Sequence, residues 1–208
     1  MISVIIPTVR SNNIIPCIYS IYDCVKDIDY EIVIVADYEP VLFNKNMKWI
    51  NQTERRGVVD ATNTGFKCSE GEYIMTISDE CRFMNNCFYH LLKTMKKHND
   101  KVITSPRIEP SSPFNYYGVE FAPFPFVHRS LITDNYIFDP VYKSFYADPD
   151  LTLRLHQKKI EFRLTRDALV YHPFVNDDVH KLNVENHCHI DREVFKSRWA
   201  NLGEFKDP

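Results

Sequence analysis

The sequence predicts an α/β fold, with a mainly parallel central sheet, helices on both faces and a small aromatic-rich region of mixed strands. Three observations predict it. Short runs of β-branched and apolar residues, typical of strands buried on both faces of a parallel sheet, recur along the first half of the chain. Amphipathic stretches of helical length separate these runs, as in βαβ units. Residues 106–147 then interrupt the alternation with prolines and aromatic rings.

Hydrophobic periodicity predicts the elements in chain order. The apolar runs predict strands at about 3–6, 32–35, 73–77 and 102–104. The stretches between them predict helices at 13–26, 58–69 and 84–97, the last because Phe88, Leu91 and Met95 share a helical stripe. Beyond the aromatic region we expect a helix at about 149–158, strands near 160–164 and 168–171, and a helix at about 191–202.

The aromatic region, residues 106–147, is expected to form irregular loops and short strands. Exposed rings could stack on the C–H faces of sugars, whereas buried rings would form a second small core layer. The second interpretation is favoured on residue type alone. The segment contains Pro106, Pro110, Pro113, Pro123, Pro125, Pro140, Tyr116, Tyr117, Phe121, Phe124, Phe126, Tyr136, Phe138, Phe145 and Tyr146.

Composition limits the classes of function. The chain of 208 residues has 25 Lys and Arg against 28 Asp and Glu, so it lacks the basic field that general nucleic-acid binding requires. Its length predicts a single domain. Six cysteines without a CxxC pair favour a reduced, cytoplasmic protein, and no apolar run reaches the roughly 18 residues of a membrane span.

Carboxylates follow the predicted strands at the edge where open α/β sheets bind ligands. Asp37 follows the second strand, and Asp79 and Glu80 follow the third. Neither GxGxxG nor a P-loop follows the first strand. A hard divalent cation prefers one or two carboxylates together with phosphate oxygens, so a cation-assisted phosphate site is one interpretation. The alternative is a solvated turn that caps the next helix.

Five segments, in the same order, resemble the family 2 glycosyltransferases of the GT-A fold. ISVIIPTVR resembles the family's first strand and loop, and YEIVIVADYEP its second strand. RRGVVDATNTGFKCSEGEYIMTISDE resembles a helix with Asn-x-Gly, followed by a strand and a DxD-type metal site. FYADPDLTLRL with the later ALVYH resembles the acidic loop, its helix and a returning His, and REVFKSRW resembles the closing helix. The resemblance therefore runs from residue 2 to about residue 200.

The resemblance implies a site as well as a fold. It implies one domain over 1–208, with a nucleotide-binding half at about 1–105 and an acceptor-side half at about 106–208. It implies Mn²⁺ or Mg²⁺ as cofactor and an inverting transfer from a UDP-sugar, with Asp37 as the uracil contact and Asp148 as the base. The remaining implied residues are Pro7, Thr8, Arg10, Arg56, Asp60, Asn63 and Ser78 at the nucleotide, and Asp79, Glu80 and His172 at the metal.

Two departures from the family pattern leave roles open. Where many members have DxD, this chain has Ser78-Asp79-Glu80, so either acid could be the direct metal ligand. Where members often have Glu-Asp, this chain has Asp148-Pro149-Asp150. Asp148 continues the stripe of Leu151 and Leu155, which favours it as base, while Asp150 has Arg154 at i+4. Against this, Asp148 with Pro149 predicts a helix N-cap, which would lower its basicity.

The expected function is metal-dependent transfer of a glucose- or rhamnose-type sugar from a UDP-sugar donor to a hydroxyl group of a glycan acceptor. One alternative is a catalytically silent domain that binds carbohydrate or nucleotide sugar. Another is a sugar nucleotidyltransferase, but its glycine-rich basic loop is missing from TVRSNN after the first strand. His180, His187 and His189 are interpreted as surface residues rather than a metal cluster. The ending Glu204–Pro208 predicts that the domain belongs to a longer chain.

Overall fold

The computed structural model describes residues 1–42, 44–84, 86–110, 115–173 and 175–205. The strands are β1 (Ile2–Thr8), β2 (Tyr30–Ala36), β3 (Met47–Asn51), β4 (Tyr73–Thr76), β5 (Arg82–Met84), β6 (Val102–Glu109), β7 (Asn115–Tyr116), β8 (Val119–Glu120), β9 (Phe126–His128) and β10 (Glu161–Tyr171). The α-helices are α1 (Ser11–Cys24), α2 (Val58–Cys68), α3 (Cys87–Lys97), α4 (Ala147–Gln157), α5 (Asp178–Asn183) and α6 (His189–Trp199). A π-helical turn, Val184–Cys188, joins α5 to α6.

Eight strands form one sheet in the order β3-β2-β1-β4-β9-β6-β10-β5. The pairs β1–β2, β2–β3, β1–β4 and β6–β10 are parallel. The strands β5 and β9 pair antiparallel to their neighbours. The predicted fold class, a mainly parallel sheet within an α/β domain, is confirmed.

Two hydrophobic cores cover the two faces of the sheet. One packs α1 and α3 against residues such as Val4, Ile34 and Met75. The other packs α2, α4 and α6 against the opposite face. Gly65 permits the close approach of α2, because a Cβ there would lie 2.5 Å from Ile5 Cγ2. Apolar burial on both faces explains why the central strands appear in the sequence as continuous apolar runs.

Several boundaries differ from the sequence prediction. The strands β3, β5 and β9 were not predicted, because they are short and their register depends on distant partners. The predicted strands near 160–164 and 168–171 form one strand, β10, with a register shift between Thr165 and Leu169. The helix predicted at about 149–158 starts at Ala147 instead, after Tyr146 in the left-handed conformation (φ 61°). Asp148 is therefore inside α4, and the predicted N-cap role is wrong.

The aromatic region contributes to the second core, as favoured from sequence. Tyr116 stacks on Phe205 with ring centroids 5.5 Å apart and meets buried Phe195 edge-on at 5.2 Å. Tyr146 packs on the same Phe195 ring at 5.2 Å. Of the prolines noted above, Pro113 lies outside the described residues. Within the described part of the chain, no helix is both long and apolar enough to cross a membrane.

Asp150 joins α4 to α6 through a buried ion-pair cluster. Its carboxylate is fully buried and accepts hydrogen bonds from Arg154 Nε (2.8 Å), Trp199 Nε1 (3.1 Å) and Tyr142 Oη (3.2 Å). Arg198 Nε lies 3.3 Å from the same carboxylate. The predicted Asp150–Arg154 pair is thus present, and Asp150 is a structural residue.

Asp150→Asn should lower the free energy of unfolding by about 3–5 kcal/mol, because it removes the fully buried partner of Arg154 and Arg198 and leaves them only their more exposed partners, Asp134 and Asp139. Urea denaturation followed by far-UV circular dichroism measures this. Asp134→Asn is the matched control, since Asp134 contacts Arg154 (3.3 Å) from an exposed position and should cost less than about 1 kcal/mol. Equal small losses in both variants would contradict the structural role.

Candidate functional site

A cleft of about 490 Å³ opens at the carboxyl ends of β1, β2 and β4. Its floor is formed by strand ends, one wall by the starts of α2 and α4, and the other by α5 and the π-helical turn. The sequence-predicted residues that line it are Pro7, Thr8, Arg10, Asp37, Arg56, Ser78, Asp79 and Asp148. The fold therefore brings these residues from five parts of the chain to one cavity.

Asp79 lies buried on the cleft floor. Its Oδ2 accepts a hydrogen bond of 2.6 Å from Thr8 Oγ1, and its Oδ1 lies 3.4 Å from Arg10 Nη1. Burial raises the pKa of the Asp79 carboxyl, against the effects of Thr8 and Arg10. The carboxylate is oriented by its neighbours on β1 and on the loop that follows it.

Arg10 links the floor of the cleft to its wall. Its Nη1 lies 3.0 Å from Glu80 Oε1, while Nε and Nη2 donate to the two oxygens of Asp177 at 2.5 and 3.0 Å. This fork-to-fork pair is the strong geometry for an Arg–carboxylate contact. The hydrogen bond from Arg10 lowers the pKa of Asp177 to about 2. Asp177 also caps α5 by accepting the His180 N–H (2.8 Å), so Arg10 fixes the start of that wall.

Glu80 and His172 lie beside this network, next to the cleft. Glu80 is buried, and its Oε2 lies 3.2 Å from His172 Nε2. The His172 ring meets Phe124, a cleft residue, edge-on at 5.2 Å. The described residues contain no group of three or more His, Cys, Asp or Glu side chains arranged to hold a metal ion. One carboxylate and one imidazole nevertheless fit a divalent ion whose other ligands are phosphate oxygens and water.

The opposite end of the cleft contains Asp37 and two arginines that precede α2. Asp37 Oδ2 accepts a hydrogen bond from Arg55 Nε. Arg56 is exposed and pairs with Glu54 (2.9 Å). Gln52 also lines this end and donates through Nε2 to Asp60 (2.6 Å).

Asp148 lies on the cleft wall near the start of α4. It is partly exposed, while Leu151 and Leu155 of the same stripe are buried, as the helical spacing predicted. Burial raises the pKa of Asp148 to about 7. A carboxyl group with this pKa can take up and release a proton near neutral pH.

The segment before α4 is held in place by Asp191. Asp191 is fully buried in α6, and its carboxylate accepts the backbone N–H groups of Lys143, Ser144 and Phe145 at 2.8–3.0 Å. The Lys143 carbonyl in turn accepts the Val59 N–H (3.1 Å) at the start of α2. Gly57 is required beside it, because its φ is +99° and a Cβ would lie 2.6 Å from the Lys143 oxygen.

Four sequence-predicted residues do not line the cleft: Glu80 and His172, which lie beside it, and Asn63 and Asp60. Asn63 is buried; its Oδ1 accepts the N–H groups of Ile137 (3.1 Å) and Phe138 (3.0 Å), and its Nδ2 donates to the Phe138 carbonyl (2.7 Å). Asp60 accepts the bond from Gln52 instead. Asn63 thus acts here by positioning Phe138, which does line the cleft.

Sequence reasoning missed one side of the cleft. Arg55 and Gln52 gave no signal, because their importance comes from contacts with distant Asp37 and Asp60. The wall formed by α5 and the π-helical turn was also missed, although Asp177 followed by Asp178 is a recognisable helix start. This wall contributes Val179, Leu182, Asn183, Asn186 and His187. His187, interpreted above as a surface residue, faces the cleft.

Comparison with known proteins finds one matching sequence family and several solved structures with a similar fold. The sequence profile described as Glycosyl transferase family 2 matches residues 3–150. No curated protein matches at a significant level. TarS of S. aureus superposes with a TM-score of 0.66 and 16% identity, over 95% of this chain and 43% of TarS. Residues 1–349 of TarS, solved with UDP, give 0.65 and 16%, over 96% of this chain and 72% of that one.

A second solved protein with this fold is the mannosyltransferase PcManGT from Pyrobaculum calidifontis, in complex with GDP-Man and Mn²⁺. It superposes with a TM-score of 0.71 and 15% identity, over 99% of this chain and 65% of PcManGT. This chain thus spans less than half of the longer TarS chain and about two thirds of PcManGT. At such identities the likeness establishes the fold.

Arg10→Gln should loosen the wall formed by α5, because it removes the bidentate pair with Asp177. Hydrogen exchange followed by mass spectrometry should show faster exchange of amides 178–183 and unchanged exchange in β1 and β2. Arg56→Gln is the control: Arg56 pairs with exposed Glu54 and forms no described contact with α5, so this variant should leave that segment unaffected. Identical exchange of residues 178–183 in wild type and Arg10→Gln would disprove the link.

Proposed function

Because the chain belongs to glycosyl transferase family 2, we propose that it transfers a sugar from a UDP-sugar of the glucose or rhamnose type to a hydroxyl group of a carbohydrate acceptor, with inversion at the anomeric carbon. The observation that carries this proposal is Asp148, a carboxyl group with a pKa of about 7 on the wall of the cleft. Within the described part of the chain, no side chain forms a hydrogen bond or ion pair with its carboxylate, in contrast to Asp150 two residues later.

Asp148 is assigned as the general base. Its carboxylate takes the proton of the acceptor hydroxyl as that oxygen forms a bond to the anomeric carbon. The bond from the anomeric carbon to the diphosphate oxygen breaks on the opposite side, and UDP leaves with the electron pair. A single displacement of this kind inverts the anomeric centre. A carboxyl group with a pKa near the working pH is deprotonated in a large fraction of the molecules, and it is basic enough to take the proton from the hydroxyl group.

The diphosphate is assigned to the other side of the cleft floor, beside Asp79, Glu80 and His172. Glu80 and His172 would hold Mn²⁺ or Mg²⁺, and Asp79, whose oxygens are engaged by Thr8 and Arg10, would support that site from beside it. When bound, such an ion neutralises negative charge on the leaving diphosphate. The Mn²⁺ in the PcManGT complex supports this part of the proposal.

Asp37 is assigned to the nucleobase, with Pro7, Thr8 and Arg56 around the same nucleotide. The solved relatives leave the base open, since one is in complex with GDP-Man and another with UDP. The half of the domain from about residue 106 onwards, which contains the aromatic region, is assigned to the acceptor.

A catalytically silent binding domain is the alternative from another functional class. The Asp148 carboxyl, which has no compensating partner among the described side chains, lowers the stability of the fold at neutral pH. A domain that only binds its ligand would not need such a group, whereas an enzyme would use it as a base. Incubation of the protein with UDP-glucose and UDP-rhamnose, with and without Mn²⁺, separates the two functions. Release of UDP supports an enzyme, whereas a thermal shift without any UDP release supports a silent binder.

Asp148→Asn should abolish proton uptake while preserving the shape of the side chain. We expect a folded protein that binds UDP-sugar and metal normally and transfers sugar at least about 10²-fold more slowly. At pH 8 the variant should be at least as stable as wild type. The pKa of Asp148 is higher in the folded than in the unfolded protein, so the free energy of unfolding of the wild type falls as pH rises towards the folded-state pKa. A normal transfer rate would rule Asp148 out as the base.

The pH profile of kcat/KM provides an independent test of the same residue. Activity should fall as pH decreases through about 7, because protonation of Asp148 removes the base. The acid limb should have a slope of one proton and should be absent from the residual activity of Asp148→Asn. An acid limb centred near pH 4 would indicate a different base.

Glu80→Gln should remove metal-dependent donor binding. Isothermal titration calorimetry with UDP should show wild-type affinity that depends on Mn²⁺, and affinity in the variant that does not. Asp177→Asn is the control, because it also releases Arg10 but removes no proposed ligand, so its UDP affinity should keep its Mn²⁺ dependence. Full transfer activity of the wild type in excess EDTA would overturn the metal assignment.

A further inference from the structure

The two carboxylate oxygens of Asp37 differ, because one is paired with an arginine and the other has no side-chain partner among the described contacts. Its Oδ2 accepts the hydrogen bond from Arg55 Nε, and the two side chains lie together on the cleft surface. Arg55 is largely exposed, with 58% of its side chain accessible, so contact with Asp37 rather than packing holds it there. Among the described contacts, no side chain engages Asp37 Oδ1.

The number of free oxygens matters because nucleobases differ in how many N–H groups they offer. Uracil has one imide N–H, between two carbonyl oxygens. Guanine has adjacent N1–H and N2–H groups, which pair naturally with both oxygens of one carboxylate. The single uracil N–H can use Oδ1 alone, whereas guanine would place its second N–H on Oδ2, where it must share the oxygen with the Arg55 guanidinium or displace it. An unmade hydrogen bond at a recognition site costs more than a made one gains.

We propose that Arg55 is a specificity-determining residue, which selects a uracil-type base over guanine by occupying one oxygen of Asp37. This rests on the proposed function, since it takes Asp37 as the nucleobase contact. Arg55 acts through Asp37 and needs no contact with the base. The neighbouring residues agree with this assignment, because Gln52 is engaged by Asp60 through its amide nitrogen and Arg56 by Glu54.

The choice of base is then set by one loop residue rather than by the fold. Arg55 lies in the segment between β3 and α2, whereas Asp37 directly follows β2. An acid in the position of Asp37 can therefore serve either base, and its arginine partner decides whether a second N–H group must compete for one of its oxygens.

The test is the ratio of UDP to GDP affinity, measured by isothermal titration calorimetry in Mn²⁺ for wild type, Arg55→Met and Arg56→Met. Met keeps the aliphatic length of the side chain and removes the donors. The wild type should prefer UDP. Arg55→Met should lower the UDP:GDP ratio by at least about tenfold, the scale of one hydrogen bond to a charged group, mainly through tighter GDP binding. Arg56→Met removes the same charge from the adjacent position and should weaken both nucleotides without changing their ratio.

Each other outcome is decisive. A ratio in Arg55→Met within about twofold of wild type overturns the inference, because guanine then finds its second acceptor elsewhere, for example at Gln52. An equal fall in the ratio for Arg56→Met also overturns it, since net charge rather than Asp37 would set the preference. If the wild type binds UDP and transfers sugar but prefers GDP, the inference fails and the transferase assignment remains. If the wild type binds neither nucleotide, both fail.

Discussion

One buried carboxylate, that of Asp191, supports both ends of the cleft. By accepting three consecutive backbone N–H groups, it fixes the turn at residues 143–145 against α6. The turn leads directly into α4 and so sets the position of Asp148. The Lys143 carbonyl of this turn also accepts the Val59 N–H at the start of α2. It lies so close to Gly57, directly after Arg55 and Arg56, that only glycine fits there. The proposed base and the nucleobase end of the cleft therefore share one anchor.

Three acids in this part of the fold differ in how their charge is compensated. Asp191 has backbone donors, and Asp150 has two arginines, a tyrosine and a tryptophan. Asp148 has no such partner among the described residues, and burial raises its pKa to about 7. The first two arrangements stabilise the ionised form in a desolvated place. The third costs stability at neutral pH but leaves a basic carboxylate, which is the kind of compromise expected at a reactive site.

The sequence predicted features whose cause is local or periodic. Buried runs predicted β1, β2 and β4, and helical spacing placed Asp148 above Leu151 and Leu155 on one face of α4. Prediction failed where distant contacts decide the outcome. The Asp148-Pro149 pair suggested an N-cap, but Tyr146 adopts the left-handed conformation and α4 begins before Asp148. The Asn-x-Gly pattern marked an important segment, yet Asn63 holds Phe138 and Gly65 lets α2 approach Ile5. Arg55 was not found because only the tertiary structure brings it to Asp37.

The charges beside Arg10 give a physical reason for the proposed metal dependence that is separate from family resemblance. Among the described residues, Arg10 is the one arginine or lysine that forms an ion pair with the carboxylates of Asp79, Glu80 and Asp177, while Arg82 donates only to the Asp79 backbone carbonyl (3.2 Å). The proposed sugar diphosphate would add further negative charge to this site. Coulomb repulsion is strong at short range and low polarity, so its binding would require an added cation or protonation of the acids. Glu80, in contact with both Arg10 and His172, is the place where an added divalent ion would relieve the largest share of this repulsion.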